Sequence, residues 1–227
     1  YEARLRLGVK TTTADAEGEV IEQRPIPALT DADIEAVMVP LRGAIMQVPP
    51  MFSALKHKGQ RLYKLAHRGE TVERAPRSQH IYELTLTGRG DEYLDIFVRC
   101  SKGTYIRTLG EDLGEALGCG ASILTLRRTA AGPFVEQDMV CVEAVEAAVQ
   151  ELNADSLLLP PEAALSDLPA LALTDDLRFF MSKGQAVIVP KAPTSGRLRL
   201  YGPDECFIGV GEVLDDGRVA PRRFLAC

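Results

Sequence analysis

The chain opens in alternation. Tyr1, Ala3 and Leu5 fall on one side of an extended segment, and Glu2, Arg4 and Arg6 on the other. The stretch YEARLRLGVKTTTADAEGEVIEQ predicts a strand, a turn and a second strand, with small, polar TTTADAEGE as the connecting loop. LTDADIEAVMVPLRG predicts a short helix with Thr30 as N-cap, Asp31 and Asp33 in the first turn and Pro40 near the end. In QVPPMFSALKHKGQRLYKLAHRGETVERAPR two prolines fix an extended approach, and Leu62, Leu65 and Ala66 then share one face of a short helix.

HIYELTLTG and EYLDIFVRCSKG alternate at period two and predict a hairpin. In the second, Leu94, Ile96, Val98 and Cys100 share one face, and Tyr93, Asp95, Phe97 and Arg99 the other. TYIRTLGEDLGEALG switches to helical spacing, with Ile106, Leu109, Leu113 and Leu117 on one side and Gly118 and Gly120 as the stop. A further helical stretch covers 140–151, and Pro160, Pro161 and Pro169 mark a linker. LTDDLRFFMSKGQ predicts a helix capped by Thr174 and stopped at Lys183-Gly184. The short strands AVIVP, GRLRLYG, CFIGVGEVL and RVAPRRFL follow, forming a small, mostly β module.

With 227 residues, 46% of them hydrophobic, the chain is long enough for an ordinary core and for two compact domains. It has no uninterrupted apolar run of roughly 18 residues, the length a spanning helix needs. Tyr1 already stands inside a strand pattern, so the expectation is that these 227 residues begin partway into a longer protein. The five cysteines are widely spaced without a C-x-x-C pair, and His57, His67 and His80 have no metal-ligand spacing. Free thiols in a reducing cytoplasm, with no structural zinc, are the expectation.

Net charge is −6, but it is segregated. Residues 136–176 hold ten acidic residues and no Lys or Arg, which leaves +4 for the rest. Residues 56–77 carry seven Lys/Arg against Glu70 and Glu73, a local +5. A polyanionic partner is therefore allowed, provided that it avoids the acidic zone.

The SKGTYIR segment raises an electrostatic problem. A Lys-Gly turn leading into a helix presents unpaired N–H groups and the positive end of the macrodipole, a setting for phosphate or carboxylate. Arg107 in that first turn is opposed by about 0.3–1 kcal/mol if exposed. A bidentate anion would relieve it; solvent, or Glu111 at i+4, is the plainer alternative. Tyr105 reads either as a core aromatic or as a ring that stacks on a base. The 56–77 stretch is a solvated basic face or a phosphate-gripping arm. In LTLRRTA, Leu126 directly precedes Arg127-Arg128, which fits a strand end with a surface pair. None of these patterns specifies a reaction.

The combination of PPMFSALKHKGQRLY, CSKGTYIRTL and LGCGA is far more specific than any one motif. On these segments the chain resembles the bacterial tRNA pseudouridine synthase B family, from Tyr1 to about Pro133, with a weaker likeness to a PUA-type RNA-binding domain from about Asp167. The resemblance implies an α+β fold: a mixed sheet with flanking helices over 1–166, then a small β-barrel-like PUA domain over 167–227. It implies isomerisation of the T-loop uridine of tRNA, flipped out of its stack, without cofactor or metal; a cytoplasmic location follows from the cysteine reading above, and a monomer is the default expectation. The family's catalytic aspartate lies in an "LDP" segment that does not occur in these residues, so the 227 residues alone are expected to be inactive.

By the same resemblance, Tyr1 packs on the target base and accepts a proton, and Tyr105 and Leu126 line the uridine pocket. Arg107 pairs with the catalytic aspartate and holds it ionised. Lys56, Lys58, Arg61, Lys64 and Arg68 grip RNA phosphates, as do Arg127 and Arg128 at the strand end. The alternative is a non-catalytic RNA-binding or tRNA-folding protein that uses the basic arm and the second module alone.

Overall fold

The alternation at the start of the chain becomes β1 (Glu2–Leu7), whose Ala3, Leu5 and Leu7 are buried. A computed structural model of the chain describes residues 1–225 and divides into two compact units, 1–129 and the part from 130 on. In the first unit β1 turns at Gly8 into a small ribbon of β2 (Val9–Thr11) and β3 (Val20–Gln23). Helix α1 (Asp31–Met38) follows, with a capping box in which Thr30 and Asp33 satisfy each other's backbone N–H. Then come β4 (Gly43–Gln47), a tight hairpin of β5 (Lys56–His57) and β6 (Gln60–Arg61), and the short helix α2 (Leu62–Ala66). The long hairpin of β7 (Arg77–Arg89) and β8 (Tyr93–Cys100) leads through helix α3 (Ile106–Ala116) to β9 (Ala121–Arg127).

Five of these strands form one sheet in the order β4-β7-β8-β1-β9, and every pairing in it is antiparallel. The α+β architecture expected for this part is present, with its sheet antiparallel throughout; β7 and β8 form a hairpin, while β8 and β9, linked through α3, lie on either side of β1 and both run opposite to it. Helices α1 and α3 supply Ile34, Met38, Ile106, Leu109 and Leu113 to a single core with Leu5, Leu84, Leu94, Ile96, Val98 and Ile123 of the sheet. Each fully buried Leu or Ile contributes about 1.5–3 kcal/mol, so this layer dominates the unit's stability. Helix α3 lies hard against β9. A Cβ on Gly114 would stand 2.2 Å from the Ala121 amide nitrogen, so only glycine fits there.

The β1–β9 pairing carries one irregularity that matters for the site. Arg4 faces Thr125 and Leu5 faces Ile123, so Leu124 is an extra, bulged residue. Ile123 and Leu126 would otherwise point to opposite faces. The bulge lets Leu126 sit across from Ala3, on the face that also carries Leu5.

The second unit holds the ribbon β10 (Ala130–Ala131) with β11 (Phe134–Val135), helix α4 (Val142–Gln150), and a four-stranded sheet. That sheet runs β12 (Ala170–Ala172), β13 (Gly196–Tyr201), β14 (Phe207–Val213), β15 (Val219–Phe224), with β12 parallel to β13 and the rest antiparallel. Helix α5 (Asp175–Ser182), capped by Thr174, closes the core through Met181 against Leu198, Leu200 and Ile208. Among the described residues these strands form an open sheet, where the resemblance implies a barrel-like module. AVIVP is not a strand; Val187 alone bridges to Val219. The chain turns there instead, with Pro190 lacking a donor and Lys191 at φ 62°. No described helix is long and apolar enough to cross a membrane.

Candidate active site

Arg107 is the second residue of α3, behind the N-cap Tyr105, whose side chain makes no capping bond. Its first turn has no acidic residue to complement the dipole. The cation is satisfied from outside the helix. Nη1 donates to the Thr13 carbonyl and to Asp15 Oδ2, both at 3.0 Å, and Nη2 donates to the Phe52 carbonyl at 2.6 Å. The side chains of Arg107 and Asp15 are 22% and 26% exposed, so this is a largely desolvated, charge-assisted pair. Neither plainer alternative holds: Arg107 does not point into solvent, and its ion-pair partner is Asp15, not Glu111. Burial pushes the Glu111 carboxyl up.

Asp15 lies in the TTTADAEGE loop and is itself fixed. Its Oδ1 accepts from Thr13 Oγ1 at 2.5 Å and from the Glu17 amide at 3.2 Å, and Thr11 Oγ1 donates to its carbonyl at 2.7 Å. Ile123 of β9 donates its N–H to Ala14 O at 2.9 Å, which fastens the loop to the sheet. Ala14 is held at φ 62°, a left-handed conformation that an L-residue adopts at a cost of about 1 kcal/mol or more. Sequence reasoning missed Asp15. The Thr-x-Asp-x-x-Gly composition signals a turn that ties its own backbone, but nothing local says that the free carboxylate oxygen meets a residue on α3.

The approach to α3 is equally constrained. Thr104 Oγ1 donates to Ser101 O at 2.9 Å, Ser101 Oγ donates to Gln79 Oε1 at 3.0 Å, and the His80 N–H donates to Ser101 Oγ at 3.0 Å. Gln47, buried at the end of β4, accepts from the Tyr105 N–H at 2.8 Å and donates to the Tyr105 carbonyl at 3.1 Å.

Strand order places the other expected pocket residues. Val98 of β8 pairs with Tyr1, and β8 ends two residues later, just before the short connection to α3. Tyr1 is partly buried and packs on the sheet–helix core. Leu126 is 46% exposed and lies at the end of β9 beside that end of β1. Tyr1, Leu126, Tyr105 and Arg107 therefore gather at one end of the sheet. Leu126 and Arg127 also border a cleft of about 710 Å³ whose wall includes Glu2, Arg4, Asp95 and Phe97. Neither Arg107 nor Tyr105 lines that cleft.

The basic arm is a built structure. Lys58 (φ 46°) and Gly59 (φ 85°) make the two-residue turn between β5 and β6, a type I′-like corner that requires left-handed backbone at both positions. Lys56, Lys58, Arg61, Lys64 and Arg68 are all exposed, and Arg68 is shared with Glu70. Leu62 and Leu65 are buried beneath them. His67 meets the edges of Phe52 and Tyr63 at ring-centroid distances of 5.5 and 6.3 Å. Arg127 and Arg128 are exposed at the end of β9. Among the described residues no cluster of His, Cys, Asp and Glu is arranged to hold a metal ion. Cys100, Cys119 and Cys141 are free thiols, and Cys227 lies outside the described residues.

This architecture is shared with chains of solved multi-component complexes. It matches a chain in a structure of an H/ACA RNP bound to a substrate RNA containing 2′-deoxyuridine with TM-score 0.69 at 17% identity, over all of this chain and 65% of that one. A chain of a Cbf5-Nop10-Gar1 complex gives TM-score 0.66 at 19% identity, over 98% of this chain and 66% of that one. The class is thus an α+β fold found in such assemblies. Three family models tile the sequence: the TruB family pseudouridylate synthase N-terminal domain (1–106), the tRNA pseudouridylate synthase B C-terminal domain (107–166) and the pseudouridine synthase II TruB C-terminal domain (169–225). The tRNA pseudouridine synthases B of Coxiella burnetii (strain RSA 493) and Stutzerimonas stutzeri (strain A1501) are 47% and 50% identical to it, over 99% of this chain and 74% of each relative. The chain belongs to the TruB family of pseudouridylate synthases.

Proposed function

We propose that the chain is the Arg107-bearing body of a tRNA pseudouridine synthase, an isomerase acting on the T-loop uridine. The reaction breaks the N1–C1′ bond and forms a C5–C1′ bond; the hydrogen on C5 leaves to solvent and N1 takes up a proton. Atoms and electrons balance without an external oxidant or reductant.

One observation carries the assignment of roles. Described residues take three of the five guanidinium N–H donors of Arg107, leaving Nε–H and one Nη2 hydrogen. That remaining edge matches a carboxylate side-on. In this reading it receives the catalytic aspartate of the family, while Asp15 and the two carbonyls keep the fork from turning. Tyr1 packs against the flipped base and serves as proton acceptor, with Tyr105 and Leu126 as further walls of the pocket. The cationic hairpin, Arg68, Arg127 and Arg128 meet phosphates of the T stem-loop and supply affinity rather than sequence choice. The module from 167 acts as a PUA-type RNA-binding domain behind a catalytic domain reaching to 166. The enzyme works as a cytoplasmic monomer.

The test is release of tritium from tRNA carrying [5-³H]uridine, by the full-length protein. Release in proportion to pseudouridine formed supports the reading. Tight tRNA binding with no release would return the protein to the non-catalytic, RNA-binding alternative.

A further inference from the structure

We infer that Gln47 is a positioning residue for this reaction, holding Arg107 in its working orientation; the inference rests on the isomerase reading above. Gln47 is only 2% exposed. A buried primary amide is costly unless both of its ends are satisfied, by about 1–3 kcal/mol for each unpaired group. Here both ends meet one residue: Oε1 accepts from the Tyr105 N–H at 2.8 Å, and Nε2 donates to the Tyr105 carbonyl at 3.1 Å. The same Tyr105 carbonyl accepts the first helical bond, from Leu109 N at 3.1 Å. Gln47 thus supplies the anchoring at the start of α3 that the Tyr105 side chain does not.

What makes this more than a structural contact is where the two chains lead. Two residues beyond Tyr105 is Arg107. Five residues beyond Gln47, across Pro49 and Pro50, is Phe52, whose carbonyl takes Arg107 Nη2 at 2.6 Å. The prolines fix their own φ angles and stiffen that path. Donor and acceptor of the Arg107–Phe52 bond are therefore both tied to one side chain, and the path from Gln47 through Phe52, Arg107 and Tyr105 returns to Gln47. Releasing the amide lets the helix start and the Phe52 segment move separately, and the fork loses its aim.

Two variants in the full-length protein test this. Gln47→Met keeps length and apolar volume but removes both hydrogen bonds. Gln47→Glu keeps shape, but an ionised carboxylate faces the Tyr105 carbonyl; once protonated it restores both a donor and an acceptor. The expected result for Gln47→Met is a single-turnover rate lower by about 10–100-fold, the range that a misplacement of about 1 Å produces. Its tRNA affinity is expected to be unchanged and its circular dichroism native. The ¹⁵N-bound guanidinium proton signals of Arg107, protected in the parent, should broaden into exchange with water. Gln47→Glu should recover toward the parent rate as pH falls, a response that lost packing alone does not give.

Parent-like rate and parent-like Arg107 signals in Gln47→Met overturn the inference. So does a flat pH response of Gln47→Glu relative to the parent, which also decides the matter if Gln47→Met does not fold. If the parent itself releases no tritium, the isomerase reading fails, and the Arg107 signals alone decide whether Gln47 orients the guanidinium.

Discussion

Arg107 and Asp15 are 92 positions apart in sequence and meet at 3.0 Å through Nη1 and Oδ2. The pair joins the first turn of α3 to a loop that is itself pinned to β9, so the cation on the unfavourable end of a helix dipole is offset by a fixed anion. Asp15→Asn keeps the acceptor for Thr13 and Glu17 but removes the charge. It is expected to lower single-turnover tritium release by about 100-fold, as loss of aim does, and stability by about 1.5–3 kcal/mol, the worth of a charge-assisted bond. Urea titration reads the second effect. An unchanged rate would mean that Asp15 plays no part in orienting Arg107.

Arg107→Ala should abolish turnover while leaving tRNA binding mostly intact, and Arg107→Lys should not rescue it. An ammonium can satisfy Asp15 but cannot also reach the Thr13 and Phe52 carbonyls in a planar fork. Filter binding and tritium release on the same preparations separate the two effects. Near-parent turnover in either variant sinks the proposed role.

Neutralising Lys56, Lys58 and Lys64 together should weaken tRNA binding and flatten its salt dependence. Three lost phosphate contacts correspond to a slope of log K against log salt that is smaller by roughly 2–3 units. The single-turnover rate at saturating tRNA should hold. Equal affinity at all salt concentrations would make the arm an ordinary solvated surface.

Two glutamates one turn apart on α3 should respond oppositely to acid. Arg24 and Lys10 hold the Glu115 carboxyl down at about 2, against an ordinary value of 4.5. The native state then binds fewer protons than the unfolded chain, so the contribution is present above about pH 4.5 and is lost as pH falls toward 2. Because the Glu115 side chain is 42% exposed, Glu115→Gln should cost less than about 1 kcal/mol at pH 7 and nothing near pH 2. Burial raises the Glu111 carboxyl instead. Glu111→Gln should therefore stabilise at neutral pH, with the gain vanishing in acid. Denaturant midpoints across pH check both signs.

Gly114→Ala should damage the first unit although the change is a single methyl group. The new Cβ would stand 2.2 Å from Ala121 N and 2.5 Å from the Gly120 carbonyl carbon, both backbone atoms that cannot swing aside. Overpacking of this kind costs about 1–3 kcal/mol or more, a Tm drop of roughly 3–10 °C. A neutral Tm would show that α3 can slide on β9.

The elements were largely legible because their signals are local. Ile106, Leu109, Leu113 and Leu117 specify α3 by spacing, Thr30 and Thr174 start their helices, and the alternation of β8 survives intact in its buried face. The site was half legible. Arg107 announced itself by an electrostatic misfit, but its partners are one carboxylate in a loop read as filler and two backbone carbonyls, which carry no side-chain signature. The placement of Leu126 depends on the bulge at Leu124, a register choice that exists only once β1 and β9 have paired. AVIVP misled for the converse reason: its composition favours a strand, and the turn at Lys191 overrides it.

Phe52 belongs to two assemblies at once. Its ring packs on His67 of the cationic arm, and its carbonyl takes Arg107. The path from the basic arm to the Arg107 guanidinium is therefore one residue long. A displacement of the arm would reach the guanidinium through that one peptide unit, so on the proposed reading the fit of an RNA to the arm and the aim of Arg107 would be gauged together.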